Sequence, residues 1–417
     1  QNGTITGGAG ILTSTASYSF REGTVSAIIA GAVAVTRVTT SAAADSVVTM
    51  TRDNTYTGAT TITSGILKLG ATGGGTNTPL GTTAAGTTIA GGAALDLNGF
   101  TLGTAEAITS MTGLGFGPST TVANGNSNMG ALMNSSGTPA SYSGAITLGA
   151  ASRINADYGA LTISSAISGA TIALTIGGFS NSTFSGVIGT TSGTLTKDGI
   201  GVLTLSNSNT YTGATTISVG TIKLGATGGA TNTPLGTTGA GTTVSLGARL
   251  DLNGFTLGTA EGLTLNGVGY GLGDFASGAL INSSGSSVSY SGAITLGSTG
   301  VLIKADSGNM TLSGNIGGNT FAITIGGTGT GTLSGVIGTT SGTVTKIGTG
   351  TWTLSNAAST YTGATTVNVG TLKLGVSGGA TNTPLGTTGA GTTVLSGAVL
   401  DFNGFTVGTA EALTING

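Results

Sequence analysis

The chain has 417 residues, 81 of them glycine, with 6% charged residues and a net charge of −2, a composition far from that of ordinary globular domains. Its 11 basic residues lie singly, so no basic face exists to track a phosphate backbone, and no apolar run approaches the ~18 residues of a spanning helix. With neither cysteine nor histidine, disulfides and the commonest metal-ligating and acid–base side chains are excluded, and no nucleic acid, metal or cofactor is expected as a partner.

In chain order, the first stretch begins at Gln1 without a charged n-region and apolar core, so a signal peptide is either removed or absent from this sequence. Val25 to Val38 is apolar but short, and Thr36 and Arg37 interrupt it. Glycine with Ser and Thr often marks disorder, yet Val, Ile, Leu and Thr recur here at alternate positions, which favours short strands. At Asn54 a longer paragraph opens, NTYTGATT, then ILKLG, TNTPLGTT, DLNGF and GTAE. The same order returns from Asn209 and, as STYTGATT, from Ser359. A repeat of this length settles architecture before chemistry, and it divides the chain into a first module at 1–155 with a diverged N-terminal cap, a second at 156–305 and a truncated third at 306–417, expected to form one continuous solenoid.

Within each module the pulses are strand-sized, bounded by Gly, Asn or Ser-Asn at corners, and no sustained 3.6-residue apolar period suggests a helix. Copying such a paragraph lengthens a solenoid naturally, because each rung buries its apolar face against the rung before it. The fold class is therefore all-β, a β-solenoid, with Leu203, Leu205, Ile222, Leu224, Leu250 and Leu252 inward and Thr204, Lys223 and Asp251 outward. Trp352 replaces Leu203 at an inward position, and Tyr56, Tyr211 and Tyr361 read as packed corner residues.

The stretches GVLTLSNSNTYTGATTISVGTIKLG and GTWTLSNAASTYTGATTVNVGTLKLG, with the lead-ins FSGVIGTTSGTLTKDG and LSGVIGTTSGTVTKIG and the diverged copy SVVTMTRDNTYTGATTITSGILKLG, resemble the autotransporter-associated β-strand repeat of type V secreted passenger domains. The resemblance implies a right-handed parallel β-helix with roughly 20 residues per rung, exported to the extracellular space or the bacterial outer surface. Such proteins end in a transmembrane β-barrel, and nothing after Tyr361 supplies one.

Chemistry is weighed against this architecture. Asp96, Asp251 and Asp401, and Glu106, Glu261 and Glu411, recur in every module, as rung fixtures do and a unique active site does not. Asp96 with Asn98 could suggest calcium, but a calcium site needs six to eight oxygens, and the pair reads better as a turn before Gly99. Thr194 with Thr196 and Thr343 with Thr345 raise ice binding but recur once per module rather than at every rung. Sequons at Asn2, Asn134, Asn181, Asn282 and Asn309 prove no glycan. The expected function is a non-enzymatic structural or adhesive scaffold that associates with itself, end to end or laterally, or contacts surface glycans; a carbohydrate-active enzyme or a glycan- or ice-binding module is the alternative.

Two further expectations are specific. Lys68 with Asp96, Lys223 with Asp251 and Lys373 with Asp401 are predicted to stack on neighbouring rungs as an exposed ion ladder, each pair worth at most ~1 kcal/mol. The bare strand edge after GTAE in the third copy predicts either a polypeptide running on past Gly417 or a second copy covering it.

Overall fold

The computed structural model describes residues 3–8, 10–39, 46–116, 129–259, 261–271 and 276–416. The backbone divides into two units, 1–213 and 214–417. Among the described residues every regular element is a strand, and each unit is a parallel β-solenoid.

In the first unit successive regular turns stack at one constant interval along the chain. Ile146 pairs with Ile167 and Ile167 with Ile188; Leu161 pairs with Ser182 and Ser182 with Leu203; Leu174 pairs with Leu195. Each such turn holds three short strands, Leu161–Ile163, Ile167–Ser168 and Leu174–Gly177 in one of them, and so presents three faces around one core. Strands this short suffice because the parallel ladder continues from turn to turn. Period-two alternation sends Leu161, Ile163, Leu174, Ile176, Leu203 and Leu205 inward, all at most 1% exposed.

The second unit repeats the plan, with Ile294 on Ile316 on Ile337 and Gly331 on Trp352 on Leu372. Trp352 is fully buried, and its indole Nε1 donates to Gly326 O at 2.9 Å. A Cβ on Gly331 would lie 2.2 Å from the indole ring, so glycine on one rung makes room for tryptophan on the next.

Turns are not uniform: the regular ones follow the expected rung of roughly 20 residues, and others are longer. Leu67 pairs with Leu95 and Leu95 with Leu132, so both of these turns take in more chain than the regular ones. Part of the surplus is the TNTPLGTT phrase, which folds as a small antiparallel hairpin, Asn77–Thr78 against Gly81–Thr82, and recurs in the second unit at Asn232–Thr233 with Gly236–Thr237 and at Asn382–Thr383 with Gly386–Thr387. Inward-facing ladders tolerate such hairpins because they leave at corners, where backbone register need not be kept.

Candidate contact surface and its buried supports

The TYTG corner is built from inside. Tyr56 and Tyr361 are fully buried, and their hydroxyls bond Thr60 Oγ1 at 2.6 Å and Thr365 Oγ1 at 2.8 Å. Thr60 Oγ1 in turn donates to Leu80 O at 2.9 Å, tying the corner to the hairpin. Asn54 holds the rungs on both sides: its Oδ1 accepts from Ile29 N at 2.8 Å and its Nδ2 donates to Pro79 O at 2.7 Å. Gly81 in PLGTT has a φ of +91° and faces the Tyr56 ring, which a Cβ would approach to 2.6 Å. The two phrases, separate in the chain, are thus one packing unit.

The DLNGF phrase forms an Asn-Gly turn. Asn98 and Gly99 have φ of 50° and 79°, and Phe100 N donates to Leu97 O at 2.8 Å, a geometry that Asn and Gly tolerate best. Asp96 Oδ1 caps the turn through Asn98 N at 2.9 Å. In the strands that lead to these turns Lys68 stands in register with Asp96, Lys223 with Asp251 and Lys373 with Asp401. Lys68 Nζ lies 3.5 Å from Asp96 Oδ2, and Lys373 Nζ lies 3.7 Å from Asp401 Oδ2; among the described residues Lys223 makes no ion contact within the same reach.

The expected exposure of this ladder holds for the third pair, whose Lys373 and Asp401 side chains are 34% and 42% exposed, and is corrected for the aspartates of the first two. Asp96 and Asp251 are 1% and 3% exposed, because a later turn closes over them. Ser135 N and Oγ donate to Asp96 at 3.1 and 2.6 Å, and Ser283 N and Oγ do the same for Asp251 at 3.2 and 2.7 Å. Asp96 and Asp251 therefore serve as acceptors for the next turn, and Lys68 is an outer partner of Asp96. The sequons at Asn134 and Asn282 are also buried, and each Nδ2 is engaged by backbone carbonyls at 2.9 to 3.3 Å. Asn181 and Asn309 are exposed, and Asn2 lies outside the described residues.

Sequence reasoning missed a set of buried cations. Arg37, Lys197 and Lys346 occupy the same position at the end of VTR, LTK and VTK and are at most 1% exposed. Each replaces hydration with carbonyls: Arg37 Nη2 donates to Ser46 O at 2.6 Å, Lys197 Nζ donates to Gly199 O, and Lys346 Nζ donates to Ile347 O, Gly348 O and Val369 O at 2.7, 2.6 and 3.0 Å. Burial pushes the two lysines down to about 8. The signal was present, since each cation follows an inward Leu or Val at the second position.

The recurrent glutamates are buried as well. Glu106 and Glu261 are 1% exposed, and burial pushes both carboxyls up to about 7 against the pull of threonine hydroxyls. Thr87 Oγ1 donates to Glu106 at 3.1 Å, and Thr242 Oγ1 to Glu261 at 2.5 Å. The glutamate carbonyls accept from Tyr142 and Tyr290 hydroxyls at 2.5 and 2.8 Å. Both carboxyls thus sit inside the corner rather than in an open groove.

Against these repeated supports, one corner of the first unit differs. Tyr158, Phe179 and Ile200 stand at the same place on three successive turns and are 71%, 44% and 56% exposed. In the second unit the matching positions are Ser307, Thr328 and Thr349, so the fold does not require apolar side chains there. Beneath the stripe Arg153 forks onto Asp198, at 2.5 Å from Nη1 to Oδ2 and 2.8 Å from Nη2 to Oδ1, while its Nε donates to Asn155 Oδ1 at 2.8 Å. Gly177 lies between them because a Cβ would come within 2.2 Å of Arg153. Asn155 Nδ2 donates to Asp157 Oδ1 at 3.1 Å, and burial raises Asp157 to about 7 despite that bond and the nearby guanidinium. This cluster of acids and bases is unrepeated, but its arginine is saturated internally.

The passenger-associated-transport-repeat family matches at residues 46–69, 195–224 and 344–374, the same three stretches whose sequence resembles autotransporter passengers. The chain carries this repeat three times. It is also similar to the adhesin BmaC autotransporter of Brucella suis biovar 1 (strain 1330), with 38% identity over 150 residues, 35% of this chain and 4% of the adhesin. The chain thus matches only a small part of that relative's length. No solved structure matches.

Proposed function

We propose that this chain is a non-enzymatic, passenger-like segment of a surface-displayed or secreted bacterial adhesin. Three passenger repeats and the likeness to an adhesin autotransporter support that reading. The observation that carries it is the exposed stripe of Tyr158, Phe179 and Ile200 on a backbone whose second copy does without it. Contiguous exposed apolar side chains mark contact surfaces, and a rigid ladder of turns presents them at fixed spacing with little ordering cost on binding. In this reading the repeated Tyr, Asn, Glu and Lys groups build the scaffold, and the unrepeated side chains make contact.

A catalytic reading would need an open, unrepeated acid–base site. The unrepeated cluster in the first unit spends its guanidinium on Asp198 and Asn155, which supports a structural role for it. The test is display of this chain on a non-adherent bacterium carrying a heterologous outer-membrane anchor. Adherence to cultured epithelial cells above that of the anchor alone is expected; equal adherence contradicts the proposal.

A further inference from the structure

The depression that the first unit fills with Arg153 and Asp198 is open in the second. Strand pairing carries Lys304, Gly326, Ile347 and Asn368 at one outward position on four successive turns, where the first unit and the start of the second have Asn155, Gly177, Asp198 and Ser218. Leu302, which is buried, stands in place of Arg153, so the guanidinium that fills the depression has no counterpart. Ile347 leans over Gly326 instead, where a Cβ would meet it at 2.7 Å. The result is a cavity of about 430 Å³ whose lining includes Lys304, Asp306, Thr328, Ile347, Asn368 and Val369, within the range of small-molecule sites.

Two residues of the lining are charged, and they pair with each other. Lys304 Nζ lies 2.9 Å from Asp306 Oδ1 and donates to Ala276 O at 3.4 Å. The wall therefore carries no net charge, yet neither partner is used up: the ammonium keeps a third proton and the carboxylate its second oxygen, so a donor and an acceptor stand side by side. The pair is also reachable, with side chains 21% and 33% exposed. Asn368 adds an acceptor, because its Oδ1 is buried without any donor. Ile347 and half-exposed Val369 supply apolar surface next to these groups. An anion here would lie against the Asp306 carboxylate and a cation against the Lys304 ammonium, while a wholly apolar ligand would leave Asn368 and the free sites of the ion pair without partners. Hydroxyls both donate and accept, and so satisfy all three. A pyranose ring carries several of them at its edge and presents a C–H face to apolar surface.

We infer that this cavity binds a neutral pyranose residue of a glycan, with ring hydroxyls on the Lys304–Asp306 pair and on Asn368 and the C–H face of the ring on Ile347 and Val369. The inference rests on the adhesive reading above, to which it adds the class of ligand.

The test is a titration of the full chain, with isotope-labelled backbone amides, using the methyl glycosides of glucose, galactose and mannose, with glucuronate and glucosamine as charged counterparts of the same ring. Saturable shifts at Lys304, Thr328, Gly348 and Val369 are expected with at least one of the neutral glycosides, and both charged sugars should bind more weakly than that one. Binding should weaken by about tenfold in Asp306→Asn, which loses a charge-assisted hydrogen bond, and by about fivefold in Asn368→Ser, which installs the residue of the preceding module. The site is overturned by the absence of saturable shifts with all three neutral glycosides, by a charged sugar that binds as tightly as the best of them, or by unchanged binding in both variants with unaltered thermal unfolding. Sugar binding by a chain that confers no adherence would keep the site and refute the adhesive reading; adherence without sugar binding would do the reverse.

Discussion

Replacing Glu261 by glutamine should abolish one part of the protein's pH dependence. Burial raises this carboxyl from 4.5 to about 7, with the Thr242 and Thr233 hydroxyls pulling the other way. Between those two values the unfolded chain releases the proton and the folded chain retains it. The contribution to stability is therefore complete below pH 4.5 and is lost as pH rises through about 7. A gap of that width, at about 1.4 kcal/mol for each pH unit, gives about 3 kcal/mol. Glutamine keeps an oxygen for Thr242 and cannot ionise. The only tryptophan, Trp352, is fully buried in the same unit, so its fluorescence during urea unfolding reports the right region. E261Q should gain about 3 kcal/mol relative to the parent between about pH 4.5 and about pH 8. If the two proteins keep a constant difference within about 1 kcal/mol across that range, the buried-carboxyl argument fails.

Other consequences can be read from matched positions. Asp96→Ala strands three donors beneath an overlying turn and should cost about 3 kcal/mol by urea unfolding, whereas Asp401→Ala, at a site with only Asn403 N and a lysine at 3.7 Å, should cost under about 1 kcal/mol. Gly81→Ala combines a φ of +91° with a collision on Tyr56 and should cost about 3 kcal/mol; Gly91→Ala, which meets nothing within 4 Å, should stay within about 0.5 kcal/mol. Lys346, pushed down from 10.5 to about 8 by burial, binds its proton less well folded than unfolded. Stability should thus rise from about pH 8 to about pH 10.5, and Lys346→Met should flatten that limb in an alkaline urea series.

How much of this was legible depends on how far each residue's environment lies along the chain. Leu203 and Leu205 are placed by neighbours a few positions away, and alternation suffices. Asp96 is covered by Ser135, 39 positions on, in a turn whose length no local pattern encodes. Lys346 was readable by alternation from Val344, but a lysine at an inward position conflicts with its hydration, and only the backbone carbonyls of the corner resolve the conflict. The stripe of Tyr158, Phe179 and Ile200 was hidden for another reason. The repeat visible in the sequence is a whole module long, while the stripe has the period of a single turn, whose registration emerges only once strands are paired.

The most direct test of the division between repeated supports and unrepeated contacts is a triple variant carrying the second unit's residues, Tyr158→Ser with Phe179→Thr and Ile200→Thr, displayed and purified beside the parent. Unfolding should be unchanged within about 1 kcal/mol, since the second unit already folds with these residues, and adherence to epithelial cells should fall toward that of the anchor alone. Undiminished adherence in a folded triple variant would contradict the assignment of contact to this stripe.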